Sequence, residues 1–189
     1  MALTTLDQSP ALVVIDLQNG TTAYPTIHPV SEVIERSRQL ARAFRAHGHP
    51  VVLVNVAGAA PGRTDAGRNA PAPAPRPADW ADLVEDLDAQ PDDLLITKSR
   101  WGAFHDTSLD EQLQARGVTQ VVLTGLATSM GVESTARSAH EHGYHVVIAT
   151  DAVTDVDAEA HENSLRRIFP KLSESAATDE LLAALDARS

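Results

Sequence analysis

The sequence predicts an α/β domain, a three-layer α-β-α sandwich around a mostly parallel central sheet with Rossmann-like topology. Three observations predict it. Short runs rich in Val, Ile and Leu alternate with stretches of helical periodicity. The runs do not alternate apolar with polar residues, so both faces of each strand are expected to be covered, as in a parallel sheet. The chain of 189 residues, 43% hydrophobic, suits one domain with a sizeable core, residues 1–189.

The elements follow in order. ALVVID, 11–16, comes after Pro10 and reads as a short buried strand. After Pro29, the residues Val30, Val33, Ile34, Ser37, Leu40, Ala41 and Phe44 recur at helical spacing, and Gly48 ends that helix. PVVLVNV, 50–56, is the second strand and DDLLITK, 92–98, the third. TSLDEQLQARG is a short amphipathic helix carrying Leu109 and Leu113 and closing at Gly117. VTQVVLTG is the fourth strand, GVESTARSAHEHG the helix after it, and YHVVIATDAV the fifth strand. DAEAHENSLRRIF reads as a further helix, KLSES as a last short strand, and TDELLAAL as a terminal helix.

One stretch breaks the pattern. Residues 59–80, AAPGRTDAGRNAPAPAPRPADW, hold five of the eleven prolines and cannot form a long regular element. A loop of that length inside a compact domain is commonly functional. Its arginines, Arg63, Arg68 and Arg76, are suited to an anionic substrate or a neighbouring subunit, or else to plain solvation.

Composition bounds the function. With 15 Lys plus Arg against 26 Asp plus Glu, the formal net charge of −11 argues against a nucleic-acid partner. No apolar run approaches the length of a membrane span, and MALTTLDQSP has neither a basic nor an apolar leader region, so the cytoplasm is the expected location. The chain has no cysteine, which excludes disulfides, thiolate metal sites, iron–sulfur clusters and a thiol nucleophile.

Open α/β sheets bind ligands at the carboxyl ends of their strands. Asp16 stands at the end of strand one, Lys98 at the end of strand three, the 125–131 turn after strand four, and Asp151 near the end of strand five. A carboxylate after the apolar run LVVI is partly desolvated, which raises its pKa and suits proton transfer. A buried ammonium at Lys98 needs a partner, and Asp16 is the obvious one. The bland readings are a capping carboxylate and a lysine snorkelling to water. The turn can present backbone N–H groups to an oxyanion or a carboxylate, or can serve only as a connection made of small residues. Gln18, Arg100, Trp101, His105, Ser129 and Met130 stand near these positions in sequence and are expected around a substrate pocket. Ser129 is a candidate nucleophile, but its neighbours ATSMG lack the G-x-S-x-G setting, and an N-cap serine is commoner. His140 and His142 are two apart and face different directions on a helix, and neither H-E-x-x-H nor G-x-G-x-x-G occurs. No metal and no cofactor is expected.

Four stretches in order, ALVVIDLQNG, LLITKSRWGAFHDTSLDEQL, VVLTGLATSMGVESTARSAHEHGYHVVIATDA and AEAHENSLRRI, resemble the isochorismatase-like hydrolases. That family includes nicotinamidases, carbamoylsarcosine-type amidases and isochorismatases. The resemblance implies that Asp16 and Lys98 are catalytic and that Gly131 stands where amidases of the family carry a nucleophilic cysteine. It implies a cis peptide at Leu126–Ala127 and an oxyanion hole from the N–H groups of Ala127 and Gly131. It also implies a dimer or tetramer. NVAGAAPGRTD lacks the Asp/His metal cluster of the nicotinamidases.

Glycine at position 131 fits the isochorismatase branch, which hydrolyses a vinyl ether without a thiol. ATSMGVEST and the Trp101–Gly102 pair look more like the amidase branch. The expectation is a cofactor-free hydrolase of a small molecule, with isochorismate or a related small acid as substrate. The alternatives are an inactive family member that binds a small molecule or serves as a structural subunit, and an amide hydrolase using water or Ser129. Where a thiol would stand in a relative, a small void or a water is expected.

Overall fold

The computed structural model describes residues 3–65, 67–68 and 75–187. Six strands form one sheet in the order β3-β2-β1-β4-β5-β6, and every neighbouring pair is parallel. They are β1 Pro10–Ile15, β2 Val51–Val56, β3 Leu94–Lys98, β4 Gln120–Leu126, β5 His145–Thr154 and β6 Glu174–Ala176. This is the doubly wound order, whose switch point lies between β1 and β4. The helices are α1 Asn19–Thr22, α2 Val30–Ala46, α3 Leu109–Gln114, α4 Glu133–Glu141, α5 Ala158–Asn163 and α6 Thr178–Asp186.

Strand periodicity builds the two cores. Ala11, Val13 and Ile15 point to one face of β1, where they join Leu109 and Leu113 of α3 and Ala136 and Ala139 of α4. Leu12 and Val14 point to the other face, with Val33, Leu40 and Phe44 of α2 and Leu181 and Leu185 of α6. Both sets are buried, which is why the strands read as continuous apolar runs. The three-layer sandwich expected from the sequence is the observed one.

Three local features depart from the sequence reading. The helix after β4 begins with a π-helical turn, Thr128–Val132, before α4. The stretch after α5 winds through a π turn, Ser164–Ile168, and a short 3-10 turn, Phe169–Lys171, rather than one continuous helix. Asp151 lies within β5 and braces the fold. Its carboxylate accepts from Thr178 N and Oγ1 at 2.8 Å each and pairs with Arg36 Nη1 at 2.8 Å.

Gly125 is a close approach between β1 and β4. Its φ is +109°, and a Cβ there would stand 2.0 Å from Ile15 O. The register between β4 and β5 also shifts between Leu123 and Gly125. Gly125→Ala is therefore expected to lose more than about 3 kcal/mol of folding stability, combining strain with a backbone clash. Urea unfolding measures it; a loss under about 1 kcal/mol would mean that the strands separate easily here.

Candidate active site

β1 delivers Asp16 to the switch point. Ile15 registers with Val54 on β2 and Gly125 on β4, so Asp16 is the first residue beyond the paired strand. Its φ is +52°, an unusual conformation for a residue with a side chain. Two contacts hold it there. Asp16 N donates to Val54 O at 2.9 Å, and the Thr21 hydroxyl of α1 donates to Asp16 O. Strain of this kind persists where the surroundings fix it, and it clusters at functional sites.

β3 delivers Lys98, which registers with Val56 on β2. β2 separates it from β1, so the lysine must reach across a strand to meet Asp16. Lys98 Nζ donates to Asp16 Oδ2 at 2.6 Å and to Arg100 O at 3.2 Å. Both side chains are buried. Asp16 Oδ1 is also buried and has no hydrogen-bond partner among the described residues. Burial pushes the Asp16 carboxyl up to about 6; the Lys98 charge and hydrogen bond pull it back only in part.

The π-helical turn forms the third side. Ser129 N donates to Asp155 Oδ2 at 2.7 Å, and Met130 N and Val132 N donate to Ala127 O at 3.0 and 3.2 Å. Ala127 and Gly131 both stand on the cavity wall. A Cβ on Gly131 would stand 2.9 Å from Leu126 O, 3.0 Å from Ile15 Cγ2 and 3.2 Å from Asp16 Oδ2. The Cβ position at Gly131 is therefore tight, because the turn packs onto the end of β1. The cis peptide implied at Leu126–Ala127 is absent, since every peptide bond among the described residues is trans.

Beneath the turn lies a buried polar network that the sequence did not announce. Asp155 is fully buried, and its Oδ1 also accepts from Val156 N at 2.8 Å. One carboxylate thereby ties the turn to the segment after β5, where Val156 lines the cavity. His161 Nδ1 meets the Thr128 hydroxyl at 2.9 Å, and its ring packs edge-on against His28 with centroids 5.1 Å apart. Burial, with His28 alongside, holds the His161 pKa below its usual value.

These walls enclose a cavity of about 580 Å³ over the carboxyl ends of the strands. Asp16, Lys98, Leu126, Ala127 and Gly131 line it, as do the expected Arg100, Trp101 and Met130. Three other expected residues do not line it. Gln18 is fully buried and braces the backbone; its amide accepts from Val56 N at 2.7 Å and donates to Val56 O at 3.0 Å and Trp80 O at 3.1 Å. His105 is exposed beside Asp106, at 3.1 Å. Ser129 is held by its backbone, away from the wall.

The proline-rich loop contributes Ala59, Ala60, Gly62, Thr64, Arg76 and Trp80 to the cavity. Within it, Arg68 pairs with Asp65 at 2.9 Å on the surface, and residues 66 and 69–74 lie outside the described residues. Tyr24, Trp80 and Val156 are wall residues that no motif singled out.

Known proteins share this architecture. The isochorismatase domain model matches residues 10–180. YecD of Escherichia coli O157:H7, an uncharacterized isochorismatase family protein, is 41% identical over 182 residues, 94% of this chain and 97% of its own. An isochorismatase family protein from Burkholderia thailandensis has a solved structure 42% identical to the chain, with a TM-score of 0.90, covering 96% of this chain and 98% of that one. The ureidoacrylate amidohydrolase RutB of Stutzerimonas stutzeri is 30% identical over 177 residues, 79% of this chain and 71% of its own.

The Asp16 carboxyl rises from 3.8 to about 6 on folding. A group whose pKa is raised by folding stabilises fully below its unfolded pKa, and that contribution is lost as pH rises through the folded one. Relative to Asp16→Asn, the wild-type protein is expected to lose on the order of 3 kcal/mol between about pH 4 and pH 7. Urea unfolding at stepped pH reads the difference. A difference that stays flat or grows with pH would mean that the carboxyl is not desolvated.

Proposed function

The chain belongs to the isochorismatase family, and from that premise we propose that it hydrolyses a small molecule with water as nucleophile and Asp16 as proton donor. No covalent enzyme intermediate forms. The observation that carries this reading is the division of labour on Asp16: Oδ2 is held by Lys98 at 2.6 Å, while Oδ1 is unpartnered among the described residues. A carboxyl raised to about 6 holds a proton over part of the neutral range, and the chain has no cysteine to attack a carbonyl.

Hydrolysis of a vinyl ether such as isochorismate suits this chemistry. The Asp16 acid protonates the terminal enol carbon, and the charge moves to the ether carbon. Lys98 stabilises the carboxylate left behind. Water adds to the ether carbon and returns a proton to Asp16, and the hemiketal collapses to pyruvate and an alcohol. Ala127 and Gly131 N–H groups are the candidate donors to developing oxygen charge. The likeness to an amidohydrolase favours a second reading, in which ionised Asp16 acts as base and water attacks an amide.

The two readings have opposite pH signatures. If Asp16 is the acid, activity falls as pH rises through about 6; if it is the base, activity rises through the same window. The assay is pyruvate release from isochorismate, run against ammonia release from ureidoacrylate. Asp16→Asn is expected to lower the rate by at least about 100-fold in either case. Release of neither product would leave the chain a small-molecule binding or structural member of the family.

Homo-oligomerisation is the accompanying proposal. Leu95 is 66% exposed on β3, one of the two outer strands of the sheet, and an exposed apolar side chain on an edge strand favours a partner. Light scattering at micromolar concentration is expected to return a multiple of the monomer mass.

A further inference from the structure

The charges around the cavity oppose those of the whole chain. The formal net charge is −11, yet the charged residues on the wall are Asp16, Lys98, Arg76 and Arg100, an acid and three cations. Lys98 is matched by Asp16. The two guanidiniums are not matched by any carboxylate among the described residues: Arg100 donates to Ser99 O and Ala59 O, and Arg76 to Ala57 O. Arg36, Arg38, Arg42, Arg45, Arg68 and Arg137 each pair with a carboxylate, whereas Arg116 rests on the Gln112 carbonyl.

Arg76 is the better placed of the two. Its guanidinium stacks on the Trp80 ring, 3.9 Å from the centroid. Pro75 and Pro77 restrict the backbone on either side. The nearest acid in sequence, Asp79, is turned towards Asn19, with Oδ2 3.4 Å from Nδ2. Trp80 is itself fixed. Its carbonyl accepts from Gly20 N at 2.9 Å and Gln18 Nε2 at 3.1 Å, and its ring lies where any side chain at Gly20 would be, 2.1 Å from a Cβ there. Stacking holds one face of the guanidinium, and the N–H groups not given to Ala57 O are left for a planar anion.

We propose that Arg76 is a specificity-determining residue that binds a carboxylate on the substrate, so that the cavity selects small anions with an apolar body. This rests on the reading of the cavity as the active site. The carboxylate sits at the loop side of the cavity, against Arg76, and leaves the Asp16 carboxyl for the reacting end. The apolar body faces Val56, Leu126, Met130 and Trp101, which are among the apolar residues of the wall.

The test uses the intact protein and needs no turnover. The chain has two tryptophans, Trp80 and Trp101, and both line the cavity, so intrinsic fluorescence reports its occupancy. Benzoate and benzamide are nearly the same size and differ in charge. Benzoate is expected to bind at least about 10-fold more tightly, with a preference that shrinks as salt is raised. Arg76→Gln is expected to abolish the preference while leaving benzamide within about 2-fold, and Arg76→Lys to restore it only in part, because a lysine lacks the fork. Circular dichroism checks that the variants fold. Equal binding of the two probes, binding of neither at about 10 mM, or a preference that survives Arg76→Gln overturns the proposal. The outcome is separable from the hydrolysis reading: failure to release pyruvate or ammonia leaves a charge preference intact, and catalysis by Asp16 would stand without Arg76.

Discussion

The contact between Asp16 and Lys98 organises one whole end of the molecule. Neither group tolerates its apolar surroundings alone, since a buried charge without a partner is strongly unfavourable. The pair can form only if β1 and β3 flank β2 in parallel, with their carboxyl ends level. Asp16 must also leave the strand in the left-handed region, which turns its carboxylate towards the lysine. The sheet order, the strained residue and the raised carboxyl are therefore parts of a single constraint. Lys98 is close enough to keep the acid ionisable but not strong enough to cancel its burial.

Around that pair the protein invests its polar contacts in position. Gln18 clamps β2 to the segment bearing Trp80. Asp155 holds the turn bearing Gly131 and the segment bearing Val156 with one carboxylate. Neither side chain lines the cavity, yet each fixes the spacing between two of its walls. Buried polar groups with all their acceptors used are rigid, because each movement breaks several hydrogen bonds at once. Geometry within a few tenths of an ångström is what proton transfer requires.

The large features were legible in the sequence because they are repeated signals. Val, Ile and Leu runs broken by helical periodicity can pack in few other ways, and the five longer strands fall where that pattern places them. Asp16 and Lys98 were legible for a related reason: opposite charges at the ends of apolar strands must find each other. What escaped depends on contacts between distant segments. Gln18 looked like a pocket residue, but its partners stand 38 and 62 residues away. Asp151 looked like a strand-end acid and is spent on α2 and α6, while Asp155, four residues on, gave no signal and holds the turn. Gly131 was read as a missing side chain; that a Cβ there would crowd Leu126 O and Ile15 Cγ2 could not be read from the sequence. Non-local packing decided each of these.

The register of β1 has a consequence for how the chain is made. Pro10 pairs with Gln120 and Ile15 with Gly125, so the first strand emerges from the ribosome about 110 residues before its central neighbour. At roughly 5–20 residues per second that is an interval on the order of 5–20 s. β2 arrives early and covers one edge of PALVVI; the other edge stays open, with its N–H and C=O groups ready to pair with any extended segment nearby. Since Asp16 follows directly on β1, the strand that waits longest for its neighbour is also the one that places the buried carboxyl of the candidate site.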